Sequence, residues 1–131
     1  MAPQLPYRNG QEIRERTFQF AVRTVRFCKG VYEAGGFGRL LVAQLVDSST
    51  SMASMLEEAS AAESRRDFIS KCSIGLKESR ESHVRLKVME AAGIGPATEA
   101  RELSGEADQL VRIITTIVRN TRKNTPSRIR N

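Results

Sequence analysis

Apolar residues recur along this chain at intervals of three and four, the spacing that places them on one face of a helix. In the last periodic segment Leu103, Leu110 and Ile117 share such a stripe, and no segment alternates convincingly with the period of two that is typical of strands. Four amphipathic segments joined by short breaks predict an all-α fold, an antiparallel up-down four-helix bundle. The predicted helices span residues 11–33, 39–62, 64–92 and 98–123.

Several helix ends carry their own signals. Ser64 is the predicted N-cap of the third helix, with Asp67 three residues later as in a capping box. Gly93 is expected at the position that ends this helix. The last helix has two candidate starts, Thr98 and Ser104, and the sequence leaves both open.

The polar residues that interrupt the apolar stripes are interpreted as structural. Residues 47–51 have the composition of a linker, but the helical spacing continues through them, so we expect a close helix contact rather than a catalytic serine. His83 falls on the inward stripe and is predicted to be a core residue. The alternative is a Ser-His or Cys-His couple with Ser48, Cys28 or Cys72. Both cysteines have apolar neighbours and no CxxC partner, which predicts reduced core thiols.

No catalytic residue, cofactor or metal site is predicted. A di-metal site in a helical bundle uses Glu-x-x-His, and Glu78 and Glu81 precede His83 at other spacings. Gly35 and Gly36 follow a helix rather than a strand, so they are expected to join two helices and not to hold a phosphate. We therefore predict that the chain is not an enzyme.

The third helix also carries an apolar stripe on the side away from the first. Ile74, Val84 and Val88 form this stripe. A helix that is apolar on two sides needs two partners, so these residues are predicted to form an oligomer interface.

The charge of the chain changes the picture once it is placed by position. The chain has 131 residues, about one domain, with a formal charge of +6 and a pI near 9.9. Residues 119–131 contain five basic residues and no acidic one, which leaves 16 basic against 15 acidic residues in the rest of the chain. We predict a disordered leader at 1–10, the bundle at 11–118 and a basic C-terminal tail at 119–131.

Excess positive charge predicts an acidic partner, with nucleic acid ahead of a membrane surface. The tail has no aromatic residue for base stacking, so contact with RNA is expected through phosphates and without sequence specificity. A tail that only solubilises the chain is the alternative. The predicted nucleic-acid-binding residues are Arg119, Arg122, Lys123, Arg128 and Arg130 in the tail and Arg16, Arg23 and Arg26 on the outer face of the first helix; Arg65 and Arg66 add basic surface at the third.

No segment has the length of a signal peptide's apolar region or of a membrane span. A cytoplasmic location without a membrane partner is therefore predicted.

A family resemblance rests on several motifs in a fixed order. They are residues 14–23 (RERTFQFAVR), 44–51 (QLVDSSTS), 58–59 (EA), 68–71 (FISK), 76–78 (LKE), 81–82 (ES) and 106–113 (EADQLVRI). Together they resemble a bacterial four-helix-bundle family first noticed as proteins encoded in intervening sequences of 23S rRNA genes.

The resemblance implies a homopentameric barrel of up-down bundles. It also implies kinship with the accessory variability determinant of diversity-generating retroelements, which binds nucleic acid and a reverse transcriptase through a basic surface. The chain departs from the family pattern at Asp47, where an Arg is common, at Met55, where an Asn is common, and at Val84 and Arg85, where an aromatic pair is common.

Two functional hypotheses follow. The first is a non-enzymatic, homo-oligomeric adaptor that binds nucleic acid, with RNA favoured, and that is accessory to a reverse transcriptase or associated with rRNA. Five tails in a pentamer would bring 25 positive charges together. The second is a protein-interaction scaffold with no nucleic-acid role.

Overall fold

A computed structural model describes residue 3 and residues 7–124 of the chain, with side chains described continuously from residue 13. Within this part there are four helices and no strand. Each helix packs on the next, and the last returns to the first, which is consistent with the predicted antiparallel bundle. The helices are α1 (Tyr7–Ala34), α2 (Arg39–Ser60), α3 (Arg65–Ala92) and α4 (Ala97–Lys123).

Two helix starts differ from or refine the sequence prediction. Helix α1 begins at Tyr7, four residues before the predicted start, so the end of the predicted 1–10 leader is helical. Gly10 lies inside this helix, and a single glycine there costs only about 1 kcal/mol and is tolerated. Helix α4 begins at Ala97, beside the first of its two candidate starts, and Ser104 is buried inside the helix.

The predicted ends of α3 are confirmed. The Ser64 hydroxyl accepts a hydrogen bond from the Asp67 backbone N–H at 3.0 Å. The Asp67 carboxylate in turn accepts one at 3.3 Å from the N–H of Glu63, which precedes the N-cap. The two side chains therefore satisfy one amide of the first turn and one just before the helix. Gly93 ends the helix in the left-handed conformation, with φ of 72°.

The centre of the bundle is mostly aliphatic, with a small polar contact between α2 and α3. The Ser82 hydroxyl donates to Ser48 at 2.9 Å, and both residues are fully buried. One turn away the Ser79 hydroxyl lies 2.7 Å from the sulfur of Met52. The serine-rich middle of α2 is therefore a close helix contact, as predicted. The core is built by Ile13, Phe20, Leu45, Met52, Leu56, Phe68, Leu86, Met89, Leu103, Leu110 and Ile114.

Two turns close one end of the bundle against α1. A Cβ added to Gly95 would lie 2.7 Å from the Phe27 ring, and one added to Gly38 would lie 2.6 Å from a methyl group of Val31. Gly95 also has φ of 79°. Glycine at these positions lets the α1–α2 and α3–α4 turns approach the end of α1.

Candidate nucleic-acid interface

The structure places the only histidine at the edge of the core, so the prediction of a core histidine is wrong. His83 is half-buried. The inward positions of this part of α3 are taken by Ser79, Ser82 and Leu86, and His83 is rotated by 100° from Ser82. No hydrogen bond joins it to a serine or cysteine among the described residues, so the alternative Ser-His or Cys-His couple is not formed.

The cysteines are buried and unpaired, as predicted. Burial raises the pKa of Cys28 to about 11 and that of Cys72 to about 12. Both therefore carry a proton at neutral pH and are weak nucleophiles. No cluster of metal-ligating side chains occurs in the part of the chain that the structure describes.

Two of the predicted arginines on α1 face acidic residues of α4. Arg16 lies 2.6 Å from the Glu106 carboxylate, and Arg23 lies 2.8 Å from Glu99 and 3.5 Å from Glu102. Their charge is largely compensated, so the seam between α1 and α4 is not a basic surface.

Arg26, the third predicted arginine of α1, is exposed and stands at a depression at the end of the bundle that the glycine turns close. This depression has a volume of about 930 Å³. Its lining includes Phe27, Val31, Phe37 and Ile94.

The predicted basic residues of the C-terminal region fall into two groups. Arg119, Arg122 and Lys123 are exposed on the last turns of α4. Arg128 and Arg130 lie outside the described residues. The Arg122 guanidinium lies 3.4 Å from the Ser73 hydroxyl, which places this end of α4 alongside α3.

Helix α3 carries a basic stripe that the sequence analysis missed. Arg66, Ser73, Arg80 and Lys87 follow one another at seven-residue intervals and therefore share one side of the helix. The contact between Ser73 and Arg122 shows that this side borders α4. Arg66, Arg80 and Lys87 are exposed and have no acidic partner within the described part of the chain. The seven-residue spacing of these basic residues could have revealed the stripe in the sequence.

Helix α4 carries a matching row on the side that borders α3. Arg101 lies 3.5 Å from Glu90 of α3, and Arg122, 21 positions later, contacts Ser73. Arg112 and Arg119 lie between them on the outer part of the same side. We define the basic face as the exposed surface along α3 and α4 formed by Arg66, Arg80, Lys87, Arg101, Arg112, Arg119, Arg122 and Lys123.

Acidic residues are few on the basic face, and two of them pair with its arginines. Asp108 pairs with Arg112 at 3.1 Å, and Glu90 pairs with Arg101. The other acids of α4 near its first turns face α1. On α3 the acids Glu78 and Glu81 lie toward α2, where burial raises the pKa of Glu78 and the nearby charges of Glu81 and Asp47 raise it further. Each of these two helices therefore has a mainly basic side and a mainly acidic side, and the two basic sides are adjacent.

The predicted interface stripe of α3 is exposed, as the pattern requires. Ile74, Val84 and Val88 are 42%, 57% and 51% exposed. A second exposed stripe on α1, which the sequence analysis did not identify as separate, contains Phe18, Val25 and Tyr32 at seven-residue intervals.

The fold and the surface define the class of protein: a four-helix bundle whose positive charge is concentrated along one pair of helices. The chain belongs to the 23S rRNA-intervening sequence protein family, whose model matches residues 10–116. It is also similar to a protein of unknown function from the S23 ribosomal protein family of Bacteroides thetaiotaomicron VPI-5482, with 27% identity and a TM-score of 0.74. That match covers 81% of this chain and 97% of the other. No curated protein matches significantly. The family resemblance is confirmed.

None of the four helices, as far as the described residues extend, is long and apolar enough to cross a membrane.

Proposed function

We propose that this chain is a non-enzymatic, homo-oligomeric adaptor that binds nucleic acid through the phosphates. RNA is the favoured nucleic acid because the family description refers to intervening sequences of 23S rRNA. A role beside rRNA or a reverse transcriptase is the extension that the family resemblance supports.

The basic face is the observation that carries this proposal. Along the seam between α1 and α4, arginines meet glutamates across the helix boundary. Along the exposed boundary of α3 and α4, one such pair joins Arg101 to Glu90. Arg80 and Lys87 have no acidic partner among the described residues and border further arginines of α4. Like charges held side by side repel, and an external polyanion relieves this repulsion while releasing its own counterions.

Oligomerisation would multiply the basic face. The exposed stripe of Ile74, Val84 and Val88 lies on α3, so a second copy that covers it would bring another basic face near the first. In a homopentamer five faces would act together, and weak phosphate contacts would combine into tighter binding.

A matched pair of lysines tests the proposal. Lys87 lies on the basic face, whereas Lys29 is also exposed but lies on α1. We expect Lys87→Glu to weaken binding of a labelled RNA about tenfold at low salt, and Lys29→Glu to leave it within about twofold. Fluorescence anisotropy measures both, and circular dichroism checks that both variants are folded. Equal loss in the two variants would show that only net charge matters.

Truncation separates the basic face from the rest of the tail. A chain that ends at residue 124 loses Arg128 and Arg130 but keeps all eight residues of the face. We expect it to retain RNA binding, and a chain that ends at residue 118 to bind at least about tenfold more weakly. Loss of all binding in the chain that ends at residue 124 would assign RNA binding to residues 125–131.

A protein-interaction scaffold is the second candidate, and exposed apolar residues at one end of the bundle favour it. Phe37, which lines the depression together with Phe27 and Ile94, is 70% exposed, and Leu40 in the first turn of α2 is 72% exposed. Affinity capture with and without nuclease distinguishes the candidates. Partners that persist after digestion, together with no binding to purified RNA, would favour the scaffold.

A further inference from the structure

We infer that the ligand of the basic face is a double helix rather than a single nucleic-acid strand. This inference rests on the proposed function, because it specifies what the same face binds. Three properties of the face support it: the number of charged rows, their length and the absence of exposed aromatic residues for base stacking.

The positive charges form two rows, one on each helix. Arg66 and Lys87 mark the ends of the α3 row, and Arg101 and Arg122 mark those of the α4 row. The axes of packed helices lie about 8–10 Å apart. Two phosphate strands flank each groove of a duplex, at widths of about 6 and 12 Å in B-form DNA. Two rows at this separation can contact both strands, whereas a single strand offers only one line of phosphates.

The length of the rows also fits a duplex. The α3 row spans 21 positions of its helix, which is about 32 Å at 1.5 Å per residue. In the α4 row Arg101 and Arg112 pair with acidic residues, so its uncompensated charges lie at the C-terminal end. One turn of a B-form duplex is about 34–36 Å. When it lies along the duplex axis, the α3 row extends along nearly one full turn, so its charges can meet phosphates of both strands.

The basic face has no exposed phenylalanine, tyrosine or tryptophan on which unpaired bases could stack. Phe68 is the only phenylalanine, tyrosine or tryptophan of α3 and is 1% exposed, and α4 contains none. The exposed aromatic side chains Phe18, Tyr32 and Phe37 belong to α1 and the turn after it. Single-strand binding proteins combine a basic groove with stacked aromatic residues, and this face has only the first element.

Charge density predicts that the basic face binds a duplex more tightly than a single strand. A duplex carries one phosphate charge per about 1.7 Å of axis when both strands are counted, twice the density of either strand at the same rise. A face that contacts only phosphates should prefer the denser polyanion, and it should not distinguish base sequences.

The test compares one RNA duplex of about 12 base pairs with its two separated strands, chosen to have no internal pairing. A DNA duplex of the same sequence is the third ligand. We expect each duplex to bind at least about tenfold more tightly than its own strands at the same salt concentration. Lys87→Glu should weaken duplex binding, and Lys29→Glu should not.

The outcomes separate this inference from the proposed function. If a separated strand binds as tightly as the duplex, and Lys87→Glu weakens it, the double-helix inference is overturned while nucleic-acid binding stands. If neither strand nor duplex binds, the proposed function is overturned, and this inference with it.

Discussion

Replacement of Gly95 by alanine tests how the α3–α4 turn closes the bundle. Gly95 has φ of 79°, and its added Cβ would lie 2.7 and 2.8 Å from two ring atoms of Phe27 and 2.9 Å from Val31. Both of these side chains are buried, so neither can move away without disturbing the core. Gly36 offers a matched control, since its φ is 77° but its Cβ would meet nothing within 4 Å.

The magnitudes follow from two separate costs. A left-handed alanine costs about 1–2 kcal/mol, part of which is offset by the less flexible unfolded chain. Overpacking of a core contact adds about 1–3 kcal/mol. We therefore expect Gly36→Ala to lower the free energy of unfolding by about 1 kcal/mol, and Gly95→Ala to lower it by about 2–4 kcal/mol.

Thermal unfolding, followed by circular dichroism at one protein concentration, measures the difference. For a chain of this size 1 kcal/mol corresponds to roughly 3–5 °C in Tm. Gly95→Ala should therefore unfold about 3–15 °C below Gly36→Ala, for an excess cost of about 1–3 kcal/mol. Equal Tm values for the two variants would refute the close approach of this turn to α1.

Three other perturbations have defined outcomes. Ser82→Ala removes the hydroxyl that donates to Ser48 and should cost about 1 kcal/mol; in a double-mutant cycle Ser48→Ala and Ser82→Ala should be non-additive, and strict additivity would argue against the contact. The pKa values of Cys28 and Cys72 are raised from 9.0 to about 11 and 12, so their contribution to stability is present below pH 9 and is lost as pH rises toward these values. Chemical denaturation should show this decline in the free energy of unfolding, and Cys28→Ala/Cys72→Ala should reduce it. The same decline in the wild-type protein and in this variant would show that the two thiols do not cause it. Val88→Glu places a charge on the exposed stripe of α3 and should give a folded monomer in light scattering, whereas an unaltered assembly would exclude this residue from the interface.

The helices were predictable because their apolar spacing is local information. The regular three and four spacing located all four helices, and capping residues such as Ser64 fixed an end. The same spacing misplaced His83, because neighbouring positions on a wide apolar stripe fit the pattern equally well. The start of α1 was missed because residues typical of turns are tolerated inside a helix that packs well along the rest of its length.

The basic face was only partly predictable because it depends on which helix sides meet. Arg16 and Arg23 look exposed in the sequence, yet their acidic partners lie 76 to 90 positions away on α4. Arg80 and Lys87 look ordinary in the sequence and become notable only because α4 places further arginines beside them. Charge compensation across a helix boundary is a property of the packing, which local spacing does not reveal.

The salt dependence of RNA binding tests the central claim, that the basic face contacts phosphates. Each contact between a basic side chain and a phosphate contributes about one unit to the slope of log K against log salt concentration. The account predicts that Arg80→Gln/Lys87→Gln lowers the slope by about two, while Lys29→Gln leaves it unchanged. A slope that is the same in all three proteins, or that falls equally with Lys29→Gln, would contradict it.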